Sequence, residues 1–370
     1  MTEAAERGVW ASTWTPTQYA RNGAVEISHD RLVGAEGDPL LLVMGLAVSR
    51  FWWPAGLCQA FADQGFAVAR YDQRDAGQSS RMPGTAGSNP FIALARKKGA
   101  YSAEDMTDDA VAVLDALGWE QAHIFGASLG GVIAQRIALR HPGRVRSVVS
   151  AMAMPSDTTG IAGARHVRFG LLARLTRAKF PEGREGDIEL SLMLARELAS
   201  PVYPFDEDAA REWIERQVDS GPRDRDAQSR QVGAAWHGPR LRELRKPVLV
   251  LHGDQDPILR LSAARATAKA ITGARLVVLP GTGHDLPAPL WPDIAAPGSP
   301  ACRPRGCLIS LTPALGFSRR HPASLEKSSA LENRCGFAGK RQHDHVRQAG
   351  ADRLSRGTPR RVHQCLPGRR

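Results

Sequence analysis

AHIFGASLGGVIAQRIALRHPGRVRSVVSA, residues 122–151, is the stretch whose reading decides the fold class. Ala122–Phe125 is a short apolar run of strand length. It passes through Gly126-Ala127-Ser128-Leu129-Gly130 into the helix Leu129–Arg140, and His141-Pro142-Gly143 stops that helix. A second apolar run, Val145–Ala151, follows. Strand, helix and strand in thirty residues make a βαβ unit, so the two strands run parallel and the crossover between them is right-handed.

The same rhythm extends outward. Upstream, Leu40–Val43 is a buried-strand run ending at Gly45, the stretch Trp53–Gln64 is helix-like, and Phe66–Tyr71 is another strand run. In Ala103–Leu117, Met106, Ala110, Val111, Val113, Leu114 and Leu117 recur at helical spacing. Downstream, residues 155–240 hold no clear strand but several charged helical stretches, among them Ile188–Leu198 and Glu207–Val218. Strand runs return at Pro247–Leu251 and Arg275–Leu279. The pattern predicts an α/β fold with a mostly parallel, doubly wound sheet and helices on both faces. Its core is expected in two parts, residues 1–154 and 241–296, with a helical lid inserted at 155–240. A last helix is due after Leu286, but Pro292, Pro297 and Pro300 are expected to interrupt it.

Charge separates the ending from the rest. The formal net charge of the 370 residues is +11, yet the first 296 residues hold 34 Lys+Arg and 34 Asp+Glu. All the excess lies in residues 297–370, with 15 basic and 4 acidic residues. That segment is rich in Arg, Gly, Pro, Ser and Cys without a period of 2 or 3.6, so it is expected to stay disordered. Its bias is also what GC-rich coding sequence yields when read out of frame. Mass spectrometry of the native product tests that, because tail peptides found intact would refute it. Its basic residues lack interleaved aromatics, so no specific nucleic-acid partner is expected. Cys302 and Cys307, with the four histidines of the tail, do not have the spacing of a zinc module. The body holds one cysteine, Cys58, which suits a reducing compartment. No apolar run approaches 18 residues, and MTEAAERGVWASTW lacks the apolar stretch of a secretory signal. The expected location is therefore cytoplasmic, with no membrane partner.

Residues 126–130 match G-x-S-x-G, a spacing that decides little alone in a chain with 36 glycines. Its setting is more specific. It follows a strand and opens a helix, which is where a nucleophile elbow sits. Ser128 would project above the C-terminal edge of the sheet, with the positive end of a helix behind it. The alternative is a tight turn with an idle serine. A serine nucleophile needs a base, and the base needs an orienting acid. The run Pro247–Leu251 leads into His252-Gly253-Asp254-Gln255-Asp256-Pro257, and Arg275–Leu279 leads into Pro280-Gly281-Thr282-Gly283-His284. His284 is the expected base. Asp256 is preferred over Asp254 as its partner because it lies two residues further from the strand, and Asp285 is poorly placed beside His284. An oxyanion hole needs two backbone amides. One is expected from Leu129, the other from Met44-Gly45-Leu46, with Leu46 first and Gly45 close behind. Trp52 and Trp53 either line an apolar substrate pocket or begin the next helix in the core. No phosphate-loop, dinucleotide or H-E-x-x-H motif is present, so neither cofactor nor metal is expected.

MGL (44–46), RYDQRDAGQSS (70–80), GASLGG (126–131), HPGRVRSVV (141–149), LHGDQDP (251–257) and PGTGHDLP (280–287) together resemble the α/β-hydrolase family over roughly residues 20–295. VMG in place of the commoner His-Gly pair, and RDAGQS in place of R-G-x-G-x-S, are most similar to the actinobacterial aclacinomycin methylesterase-type enzymes. The resemblance implies an α/β-hydrolase fold and a small-molecule carboxylic ester as substrate, such as a methyl ester on a polyketide. Perhydrolysis, lactone opening and C–C hydrolysis use the same constellation, and a non-catalytic ligand-binding protein can be built on the same fold. The oligomeric state stays open.

Overall fold

A computed structural model describes residues 13–84, 100–158, 160–175, 178, 180–222, 224 and 226–295. The segment 297–370, read above as a basic tail, lies outside the described residues.

Eight strands form one sheet in the order β1-β2-β4-β3-β5-β6-β7-β8. They are β1 (Gln18–Asn22), β2 (Val25–Arg31), β3 (Asp38–Val43), β4 (Phe66–Tyr71), β5 (Ala122–Ala127), β6 (Val145–Ala151), β7 (Val248–Gly253) and β8 (Arg275–Leu279). From β4 to β8 all pairings are parallel, whereas β1–β2 and β2–β4 are antiparallel. Successive side chains of a strand point to opposite faces. Leu41, Val43, Ala69, Ile124 and Val148 therefore join the core under helices Ala103–Ala116 and Leu129–Arg140. Leu40, Leu42, Val68, Phe125 and Val149 join the core that contains Leu57 and Phe61 of helix Ala55–Asp63 and Ile294 of helix Trp291–Ala295. Both faces are covered, so the central strands are apolar throughout and their sequence runs lack alternation.

Three strand runs and the helix Leu129–Arg140 coincide with the sequence reading to the residue. The antiparallel pair β1–β2 was not anticipated. Its strands meet at a two-residue turn with Gly23 at φ +60°. β2 buries Ser28, His29 and Asp30, polar residues that no hydrophobic period marks. The final helix also departs from expectation. Pro292 is the second residue of Trp291–Ala295, in the first turn, where a missing N–H leaves no intrahelical bond unmade. Between β6 and β7 the described residues form helices and no strand of the sheet. These are Gly160–Ala164, Phe169–Leu175, Arg184–Leu198, Glu207–Asp219 and Ala227–Gly233. Ile188, Leu192, Ala195, Ala210 and Ile214 give two of them a small core of their own. Among the described residues no helix is long and apolar enough to cross a membrane.

Candidate active site

The parallel register puts the C-terminal ends of β3, β5, β7 and β8 on one edge, the edge where open α/β sheets bind ligands. Ser128 follows β5 at φ +56° and ψ −122°, a conformation a residue with a Cβ enters at a cost of about 1–3 kcal/mol. Surrounding bonds hold it there: its N–H donates to Ala151 O at 2.9 Å, and its carbonyl accepts from Gly131 N at 3.0 Å. The turn needs its glycines for space. A Cβ on Gly126 would lie 2.1 Å from Gly130 O, and one on Gly130 would lie 2.0 Å from Val43 O. The Ser128 hydroxyl makes no capping bond to the helix it opens. As the first residue of that helix, Leu129 has an amide without an intrahelical acceptor.

The loop after β3 closes over this turn. A Cβ added to Gly45 would stand 3.3 Å from Ser128 Cβ and 3.8 Å from its Oγ. Leu46 is half-buried next to it. The Ala47 N–H is already taken by Gln231 Oε1 at 2.8 Å, which leaves Gly45 and Leu46 as the candidate donors in this loop.

Asp256 and His284 meet at the ends of β7 and β8. His284 Nδ1 lies 2.7 Å from Asp256 Oδ2, and the carboxylate makes Nδ1 the donor and frees Nε2 as an acceptor. Asp256 is almost wholly buried, and its Oδ1 accepts the amides of Ile258 and Leu259, both at 2.8 Å. Burial alone would raise its pKa. The His284 charge, the hydrogen bond from that ring and the Leu259 amide outweigh burial and hold the carboxyl below the usual range. Asp254 instead accepts from Gly281 N at 2.8 Å and braces the turn after β8. Asp285 accepts from the Ser200 hydroxyl and does not share the imidazole of His284. A second imidazole stands behind the pair: His252 Nε2 is 3.8 Å from Asp256 Oδ2, and burial pushes its pKa below the ordinary value.

The two tryptophans separate. Trp53 is 2% exposed and packs edge-on to Phe125, so it belongs to the core. Trp52 stacks obliquely on Trp213 at 4.4 Å and lines a cavity of about 130 Å³ between the loop Ala47–Ser49 and the inserted helices.

Some residues that shape the site were not singled out from sequence. Asp72 Oδ1 accepts Arg50 N at 2.6 Å, and its other oxygen pairs with the Arg50 guanidinium, which also reaches Asp30 at 2.8 Å. Gly77 is required beside it, because a Cβ there would lie 2.1 Å from Asp72 Oδ2. RYDQRDAGQSS contains Asp72 and Gly77, but the partners Asp30 and Arg50 lie in other segments with no motif. Ser200, at the end of helix Arg184–Leu198, accepts Gly283 N at 2.9 Å, while Leu198 O accepts His284 N at 2.8 Å. The inserted helices thus grip the loop that bears His284.

Residues 38–287 match the family described as alpha/beta hydrolase fold. The chain is 28% identical to the rhodomycin D methylesterase DauP of Streptomyces sp. strain C5 over 308 residues, covering 76% of this chain and 96% of that protein. It is 29% identical to the rhodomycin D methylesterase DnrP of Streptomyces peucetius over 309 residues, with the same coverage. A solved hydrolase from Pseudomonas aeruginosa PA01 superposes with a TM-score of 0.52 at 26% identity, covering 72% of this chain and 91% of that one.

Proposed function

This chain belongs to the alpha/beta hydrolase fold family, and on that premise we propose that it is a serine hydrolase of carboxylic esters, with a methyl ester as the substrate class. One observation carries the reading: an imidazole held at Nδ1 by a buried, doubly braced carboxylate, on the sheet edge that presents the strained Ser128 turn. In this reading Ser128 Oγ attacks the ester carbonyl while His284 Nε2 takes its proton. His284 then passes that proton to the leaving alkoxide. Asp256 keeps the imidazole in the tautomer that accepts at Nε2 and stabilises the imidazolium. The amides of Leu129 and Leu46 receive the oxyanion, each worth about 3 kcal/mol of barrier. Water, deprotonated by the same imidazole, releases the acid. Two relatives named as methylesterases support the methyl ester. Trp52, at the cavity beside the Ala47–Ser49 loop, offers an apolar wall for the larger part of the substrate.

A panel of p-nitrophenyl and methyl esters, with a fluorophosphonate probe, tests this. Wild-type protein should be labelled and active. Ser128→Ala should be unlabelled and inactive, with an unchanged circular dichroism spectrum. Equal turnover by the variant would end the reading. Labelled protein inert to esters but active on lactones, peroxide or C–C substrates would move it to another triad chemistry. An unlabelled wild type would leave a binding protein.

A further inference from the structure

The backbone on either side of the Leu46 amide is held by two buried glutamines from different parts of the chain. Gln73, in the loop after β4 and 2% exposed, donates from Nε2 to Met44 O. Gln231, in helix Ala227–Gly233 and also 2% exposed, accepts Ala47 N–H at 2.8 Å and donates from Nε2 to Arg74 O at 2.9 Å. Met44 O belongs to the peptide joining residues 44 and 45. Ala47 N belongs to the peptide joining 46 and 47. The peptide between them carries the Leu46 N–H. With the peptides on both sides held, the one between them is left only a coupled rotation of ψ at Gly45 and φ at Leu46, so its mean direction is set by the two contacts. The hold has something to work against, because Ala47 sits at φ +54°, a left-handed conformation uncommon for a residue with a side chain. The arrangement is a closed ring, since Gln73 is bonded in sequence to Arg74, whose carbonyl Gln231 also holds.

We propose that Gln73 and Gln231 are positioning residues that preorganise the oxyanion amide, and that Gln231 makes the inserted helices part of the turnover machinery. The inference rests on the ester-hydrolase reading above. Neither side chain need touch substrate. Removing the Gln231 acceptor leaves the half-buried Ala47 N–H without its partner, so the loop relaxes and the neighbouring amide loses its aim. An amide that meets only the tetrahedral oxyanion contributes to kcat and little to ground-state binding.

The test compares Gln231→Leu, Gln231→Glu and Gln73→Leu with wild type. It measures kcat and KM on the best ester, the inhibition constant of a trifluoromethyl ketone, and thermal unfolding. For the leucine variants we expect kcat to fall about 10- to 100-fold, with KM within about threefold and the ketone weakened in parallel. Gln231→Glu keeps an acceptor for the Ala47 amide but loses the donor to Arg74 O, so it should recover only part of the loss. If Gln231→Leu does not fold, Gln231→Glu and Gln73→Leu carry the same comparison. Unchanged kcat in the leucine variants, a loss confined to KM, or an unaffected ketone constant would each overturn the proposal. Fluorophosphonate labelling of wild type separates the two readings. Unlabelled wild type removes the ester reading and this inference with it, whereas labelled, active protein with unaffected glutamine variants removes only the inference.

Discussion

Ser128 has its φ at +56° because the turn presses helix Leu129–Arg140 directly against β3 and β5, so the residue before that helix has no room for a relaxed backbone. Such strain is tolerated where it aims a side chain, and it should be visible as stability held back. Glycine has no Cβ and enters this region freely. We therefore expect Ser128→Gly to be as stable as wild type or more so, by up to about 1 kcal/mol in urea unfolding, and to be inactive on esters. A variant destabilised by a similar amount would mean that the turn is not strained. Cys58 shows the opposite use of a nucleophilic atom. It is fully buried, and burial pushes its thiol up to about 12, so it has the character of a core residue.

At the scale of elements, the helices between β6 and β7 are tied to the sheet edge at more than one place. Helix Glu207–Asp219 supplies Gln217, whose Oε1 accepts Ser49 N at 3.1 Å. Helix Ala227–Gly233 supplies Gln231 and also Arg230, which pairs with buried Asp75 at 2.9 Å. The end of helix Arg184–Leu198 supplies Leu198 O and Ser200 to the loop of His284. Ser200 is the weakest point of this last tie, because one hydroxyl serves both Gly283 N and the half-buried Asp285, whose pKa desolvation raises. Ser200→Ala should cost about 1–3 kcal/mol in thermal or urea unfolding, the scale of a buried polar group left unpaired. It should also lower kcat more than it raises KM. A variant with wild-type stability and turnover would show that the loop holds itself.

The molecule as a whole keeps several histidines neutral inside. Burial lowers the pKa values of His29, His123 and His252 below the ordinary 6.5. The unfolded chain takes up these protons near pH 6.5, whereas the folded chain resists them, so the folded state is favoured fully above that pH and loses ground as pH falls below it. Asp256, held below its ordinary 3.8, adds a loss of the same sign at lower pH. Asp109 and Asp285, both raised by burial, act in the opposite sense and offset part of that loss as the pH falls. The melting temperature should therefore fall between pH 7 and pH 5.5. His29→Leu should flatten that slope, since neither ring nitrogen of His29 has a hydrogen-bond partner among the described residues. A melting temperature that is flat or rises over this interval would contradict the account.

What was legible in the chain itself was local. The strand–turn–helix–strand of residues 122–151 could be read because covered sheet faces make apolar runs, and because a tight turn demands glycine at Gly126 and Gly130. The order of Ser128, Asp256 and His284 at strand ends follows from the same punctuation. β2 was not legible, because its buried Ser28 and Asp30 answer partners elsewhere in the chain. Only the tertiary structure decided that Asp256 and not Asp254 sits on the imidazole, that Trp53 is core while Trp52 lines a cavity, and that Gln231 holds a loop 184 residues away. Periodicity and turn chemistry record what a residue needs from its neighbours in sequence. A side chain whose partner is brought to it by packing leaves no such record.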